Sequence, residues 1–159
     1  MKQTYTSKKT SLKQIPAVIK NLVIDEYMTI LDYGCGKYDL TKEYVESFGA
    51  TYYGYDKYNR TEEENKLALA CKPDIIVCAN VLNVIKEDEV IEEIINHMLT
   101  FKCDILFSVY EGNKTGEGKP TTRGYQRNEK AVNYIEKFLK DKFNDIYRIK
   151  NEIYCTYQK

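Results

Sequence analysis

Asp32, Gly34, Gly36 and Asp56 are the residues whose types and spacing point most directly to chemistry. The run Ile30-Leu31-Asp32-Tyr33-Gly34-Cys35-Gly36 reads as a buried strand that ends in a glycine turn, and Leu40, Tyr44 and Phe48, at spacing four and closed by Gly49, read as the helix that follows. Glycine has no side chain to hold a ligand off, so such a turn can bring backbone N–H groups against one at the start of a helix. Thr51 to Tyr55 reads as the next strand. Asp56 stands at its carboxyl end, where a doubly wound sheet places an acid that accepts hydrogen bonds from ribose hydroxyls. The combination predicts a site for a nucleoside-bearing cofactor.

A nicotinamide fingerprint asks for a third glycine, and the chain continues Lys37-Tyr38-Asp39 instead. With Asp32 two residues before the first glycine, the pattern Asp-x-Gly-x-Gly resembles the first motif of class I S-adenosylmethionine-dependent methyltransferases. Asp74-Ile-Ile-Val-Cys-Ala-Asn80 is similar to that family's fourth motif. The order of segments, with Thr10-Ser11 and Pro16 early and Gly124-Tyr-Gln-Arg-Asn128 late, resembles small methyltransferases often encoded by phages and mobile elements. The resemblance implies S-adenosyl-L-methionine as cofactor, with Asp32, Gly34 and Gly36 at its methionine end, Asp56 at its ribose, and Tyr33, Cys35 and Asn80 beside it.

The elements that must position these residues can be read in outline. Ile15 to Val23 repeats apolar residues at helical spacing with Pro16 early, which reads as a leading helix. Seventeen residues separate Asp56 from Asp74, enough for one crossover helix over Glu62 to Cys71 and too few for a further strand and return. The third strand of the usual seven is therefore expected to be missing. Val90, Ile91, Ile94, Ile95, Met98 and Leu99 mark an amphipathic helix that leaves His97 on or beside its polar face, as an ordinary surface histidine. Asp104 to Val109 reads as a strand, Ala131 to Leu139 as the last helix, and Asp145 to Ile149 with Glu152 to Tyr157 as a terminal hairpin. The expected fold is a Rossmann-like α/β three-layer sandwich of the class I methyltransferase type, its mostly parallel sheet closed by that antiparallel hairpin. Residues 110–128, glycine-rich and poor in apolar residues, read as one long loop of the kind that is a lid, a binding loop or disordered.

The 159 residues suit a single domain, with 1–29 as an N-terminal segment and helix. Charge balances at 24 basic and 24 acidic residues, which argues against whole-molecule attraction to nucleic acid. Five lysines without an acid among the first 24 residues read as a solvated tail, and the runs Glu62-Glu63-Glu64 and Glu87-Asp88-Glu89 as helix starts favoured by the dipole. No secretory signal and no apolar stretch of about 20 residues is visible, which points to the cytoplasm and away from a membrane. The five cysteines form no Cys-x-x-Cys pair and His97 has no partner at ligand spacing, so no metal site is expected.

Methyl transfer needs alignment more than a loud catalytic motif. By position at strand ends, Asn83, Tyr110 and Glu111 are the catalytic candidates. In the long loop, Arg123, Tyr125 and Arg127 combine cations with an aromatic ring able to hold phosphate and stack a base. They place a nucleic acid or nucleotide ahead of a protein or metabolite as the acceptor. A cofactor-binding module without methyl transfer, acting through a partner or consuming the cofactor otherwise, is the alternative.

Overall fold

Short runs rich in Ile, Val and Tyr become strands here because most can be buried on both faces. The computed structural model describes residues 2–157. In chain order the elements are α1 (Ala17–Asn21), β1 (Thr29–Tyr33), α2 (Leu40–Glu46), β2 (Thr51–Tyr55), α3 (Glu62–Ala70), β3 (Ile75–Ala79), a 3-10 turn (Leu82–Val84) and α4 (Asp88–Leu99). Then follow β4 (Asp104–Ser108), β5 (Lys119–Thr121), β6 (Gly124–Gln126), α5 (Ala131–Tyr134), which runs on as a π-wound segment (Ile135–Leu139), β7 (Ile146–Ile149) and β8 (Glu152–Cys155).

Six strands form one sheet in the order β2-β1-β3-β4-β8-β7, parallel from β2 to β4 and antiparallel where β8 joins β4 and β7. Successive strand residues point to opposite faces. Ile30, Tyr52, Val77 and Leu106 pack with α1 and α2 on one face. Leu31, Ile76, Phe107 and Ile153 pack with α3, α4 and the α5 segment on the other. From β1 the chain passes through α2 to β2, then returns through α3 across β1 to β3 on the opposite face. The strand order therefore reverses at β1, and a crevice opens over its carboxyl end. No third strand intervenes, so β2 is an edge strand, as the short spacing before Asp74 requires. A capping box starts α3: Glu64 N donates to Thr61 Oγ1 (3.1 Å) and Thr61 N to Glu64 Oε1 (3.2 Å).

Three details differ from the sequence reading. The leading helix is only Ala17–Asn21, with Pro16 just before it. Helix α2 buries Thr41 and Val45 rather than the Leu40, Tyr44, Phe48 stripe; Phe48 stays exposed and packs edge-on against Tyr44. The segment 110–128 carries the β5–β6 hairpin and is stitched at its base by the buried Asn128, whose side chain donates to Glu117 O (2.9 Å) and whose carbonyl accepts from Gly116 N (2.7 Å). Side-chain hydrogen bonding of this kind gives no apolar period to read. Among the described residues no helix is long and apolar enough to cross a membrane.

If Val45 is the anchor of α2, Val45→Ala should cost roughly 2 kcal/mol in urea unfolding, and Phe48→Ala less than half of that. The reverse ranking would restore the 40/44/48 stripe as the buried face.

Candidate functional site

The crevice over β1 deepens into a cavity of about 340 Å³, reached by Asp32 to Gly36, Tyr55 to Tyr58, Ala79 to Val81 and one face of α4. That is within the range of small-molecule sites. At its centre Asp56 is 2 % exposed. Its Oδ1 accepts from the backbone N–H of Tyr58 (3.0 Å) and Asn59 (3.1 Å), and its Oδ2 from Gly36 N (2.8 Å). The Ser7 hydroxyl lies 3.3 and 3.4 Å from the two oxygens. Three fixed amides hold the carboxylate in one orientation, with a hydroxyl as its remaining partner.

The glycine turn works differently from expectation. Its amides are not presented to a ligand: Gly34 N and Cys35 N both donate to Tyr55 O (2.7 and 3.0 Å), and Gly36 N serves Asp56. Gly34 has φ +82°, and a Cβ there would lie 2.4 Å from Val81 Cγ2, so glycine lets the loop after β3 close on the turn. Arg60, which the sequence reading missed, clamps the outgoing chain by donating to Gly36 O (2.8 Å), Tyr38 O (2.7 Å) and Asp39 Oδ1 (2.7 Å). The Cys35 thiol, its pKa pushed up by burial, rests over Gly54, where a Cβ would lie 2.8 Å from the sulfur.

Asp32 and Tyr33 face opposite sides of β1. Asp32 accepts from Tyr52 Oη (2.6 Å), and burial raises its carboxyl to about 6 against the opposing pull of that hydrogen bond and of Arg60. Tyr33 packs against Tyr55 and its Oη lies 2.6 Å from His97 Nδ1. His97 is thus half-buried on the cavity wall rather than an ordinary surface histidine, and burial lowers its pKa.

No protein-family profile matches the sequence, and no curated protein sequence matches it. Among solved structures the chain is similar to a Burkholderia thailandensis 1,6-didemethyltoxoflavin-N1-methyltransferase crystallised with 1,6-didemethyltoxoflavin and S-adenosylhomocysteine. The TM-score is 0.59 at 15 % identity, over 83 % of this chain and 71 % of that one. The fold is the methyltransferase-like Rossmann fold. Here the sheet reversal, the glycine turn and the acid after β2 surround one crevice.

The structure brings Asp32, Tyr33, Gly34, Cys35, Gly36, Asp56 and Asn80 together on the cavity. Asn80, at φ +56°, is held there by its N–H donating to Ser108 O (2.8 Å). The catalytic candidates lie elsewhere. Asn83 is 2 % exposed in the 3-10 turn, off the cavity wall, and its Oδ1 has no hydrogen-bond partner among the described residues. After β4 the chain follows β8, with Val109 N donating to Asn151 O (3.1 Å), which carries Tyr110 out to solvent and leaves Glu111 Oε2 accepting from Ala131 N (2.8 Å) at the start of α5.

The substrate candidates also lie off the cavity wall. Arg127 is a buried structural cation: it donates to Glu129 (2.8 Å), Asp88 (2.6 Å), Ile85 O (2.9 Å) and Lys86 O (3.0 Å), and its guanidinium lies over Tyr134 and Phe138. Tyr125 stacks on Tyr5, and Arg123 donates to Ser11 O (3.3 Å). The lysine-rich N-terminus is correspondingly no solvated tail, since Gln3, Ser7, Thr10, Ser11, Leu12 and Gln14 all line the cavity.

Two outcomes follow. The folded value of Asp32 lies above its unfolded value near 3.8, so its contribution favours folding in full below pH 4 and is lost as pH rises through about 6. Asp32→Asn, which keeps an acceptor for Tyr52, should therefore stabilise the protein by on the order of 3 kcal/mol at pH 8 and by nothing below pH 4, read from urea unfolding across that range. Arg127→Met should cost roughly 3–5 kcal/mol because Glu129 is left buried with only Lys137, and ligand affinity per folded molecule should be unchanged. A selective loss of ligand affinity without loss of stability would make Arg127 a binding residue after all.

Proposed function

We propose that the protein binds S-adenosyl-L-methionine across the carboxyl ends of β1 and β2 and directs its methyl group to a small acceptor. The carrying observation is the Asp56 carboxylate, buried, oriented by three amides and contacted on its remaining side by a hydroxyl. A ribose diol offers the hydroxyl donors that such a group accepts. The cavity fits the rest of the molecule in kind. Asp32 supplies a carboxylate for the cationic amine of the methionine end, and Tyr55, Tyr58 and Val81 supply flat and apolar surface.

The cofactor would bring the activated methyl sulfonium. The chain's own residues supply positioning, which can lower such a barrier by about 7–11 kcal/mol without a dedicated nucleophile. Asp56 and its three amides tie the turn after β1 to the turn after β2, Arg60 clamps the turn after β1 a second time, and Gly34 lets Val81 close on that turn.

Three features favour a small acceptor over a polynucleotide. Arg127 is committed to Glu129 and Asp88, Arg123 and Tyr125 to the N-terminal segment, and Lys57 is the only lysine or arginine among the described residues lining the cavity. The similar methyltransferase from Burkholderia thailandensis was itself crystallised with a small heterocycle. Binding without methyl transfer is kept as a second reading by one observation: Asn83, Tyr110 and Glu111, the sequence's catalytic candidates, are all off the cavity wall.

Incubation with methyl-labelled cofactor and a fractionated cell extract tests the proposal. Label should appear in the small-molecule fraction. Asp56→Ala should weaken cofactor binding by about 1.5–3 kcal/mol, the worth of a hydrogen bond to a charged group, and reduce the label in step. Label in DNA or RNA would overturn the acceptor class. Tight cofactor binding with no labelled product in any fraction would favour the second reading.

A further inference from the structure

Residues 3–14 have no helix or strand of their own, yet they are tied down on every side of the cavity mouth. On the β2 side, Tyr58 Oη donates to Gln3 Oε1 (3.3 Å), Asn59 Nδ2 donates to Ser7 Oγ (2.8 Å), and Ser7 reaches Asp56. On the α4 side, the Thr4 hydroxyl and N–H donate to the Glu87 carboxylate. Over the glycine turn, Lys37 N donates to Ser11 Oγ (3.1 Å), and a Cβ on Gly36 would lie 2.4 Å from that oxygen. From outside, the β5–β6 hairpin holds the segment down: Tyr5 and Tyr125 stack with ring centres 5.2 Å apart, Arg123 donates to Ser11 O, and a Cβ on Gly124 would lie 3.2 Å from the Thr10 methyl.

This is a strap across the mouth, clasped by a hairpin that itself never touches the cavity. The contact at the centre is also a long one. A hydroxyl bound well to a carboxylate sits at about 2.5–2.7 Å, whereas Ser7 Oγ is 3.3 and 3.4 Å from the two Asp56 oxygens and is pulled toward Asn59. A sugar hydroxyl can displace it at little cost, because Ser7 keeps its bond from Asn59.

We propose that residues 3–14 are a gate through which every ligand of the cavity passes, and that Ser7 holds the place of a ribose hydroxyl on Asp56 until the cofactor displaces it. The inference rests on the cofactor reading above. It gives the hairpin a role that its basic and aromatic residues do not declare in sequence: Arg123 and Tyr125 bind the strap, and through it set how readily the site opens.

Ring stacking and one side-chain hydrogen bond hold the clasp, and the place a Cβ on Gly124 would take, 3.2 Å from the Thr10 methyl, suggests the test. In the full chain carrying Thr10→Cys and Gly124→Cys, the new sulfurs fall within disulfide reach. Uptake of labelled S-adenosylhomocysteine is then followed in the oxidised and reduced forms of that one protein, beside oxidised wild type. The oxidised variant should take up ligand at least tenfold more slowly than its reduced form, and ligand loaded before oxidation should be retained to the same degree. Ser7→Ala, which introduces no strain, should speed uptake severalfold without weakening binding at equilibrium. Equal uptake by oxidised and reduced variant would overturn the gate. Unchanged uptake or weakened affinity in Ser7→Ala would overturn the place-holding role. If wild type itself fails to bind S-adenosylhomocysteine, the cofactor reading falls and this inference with it.

Discussion

The hydrogen bonds from Gly36, Tyr58 and Asn59 to one buried carboxylate join the two segments that define the crevice. Gly36 belongs to the turn after β1, and Tyr58 and Asn59 to the turn after β2. Asp56 therefore fixes the distance between the ends of neighbouring strands, and Arg60 repeats the tie from the opposite direction by donating to the carbonyls of Gly36 and Tyr38. A buried charge is costly unless its lone pairs are met. Here they are met by groups that cannot move without unpicking the sheet ends. The carboxylate is thus both the clamp that shapes the crevice and the acceptor within it.

Asp32 shows the opposite economy. Its carboxyl is fully enclosed, accepts one hydroxyl, and is raised to about 6 by burial, so the fold at neutral pH holds a charge it has not fully compensated. Structures tolerate such a group where a ligand completes its environment. A cationic amine beside Asp32 would offset the burial term. The same logic explains why the strap matters. Residues 3–14 line the same cavity as Asp32, Asp56 and the Tyr33–His97 pair, and a polar contact strengthens where water is excluded.

Much of the frame was legible in sequence because it rests on apolar periodicity. The runs at Ile30, Ile75 and Ile105 could only be buried strands, the α4 stripe is buried at Val90, Ile91, Ile95 and Met98, and the distance from Asp56 to Asp74 left no room for a third strand. Asp56 was findable because a strand's carboxyl end is a fixed address in this topology. The rest depends on polar contacts between residues far apart in the chain, which leave no period. Ser7 meets Asp56 across 49 positions and Arg127 meets Asp88 across 39. Arg127, read locally beside Arg123 and Tyr125, looks like a phosphate-binding loop cation; its commitment to Glu129 and Asp88 is a tertiary fact. In α2 the spacing of four was right and the phase was shifted, because Thr41 and Val45 face the core, Tyr44 is only half-buried against it and Phe48 lies exposed beside Tyr44.

The central claim is that the crevice at the sheet reversal is a site for an S-adenosyl cofactor organised by Asp56. Titration calorimetry of the full chain with S-adenosylhomocysteine, compared with its 2′,3′-dideoxyribose analogue, tests it most directly. The account predicts one binding site per chain and an affinity at least tenfold lower for the analogue, which offers Asp56 no hydroxyl. Equal affinity for the two ligands, or no binding of either by the folded protein, would contradict it.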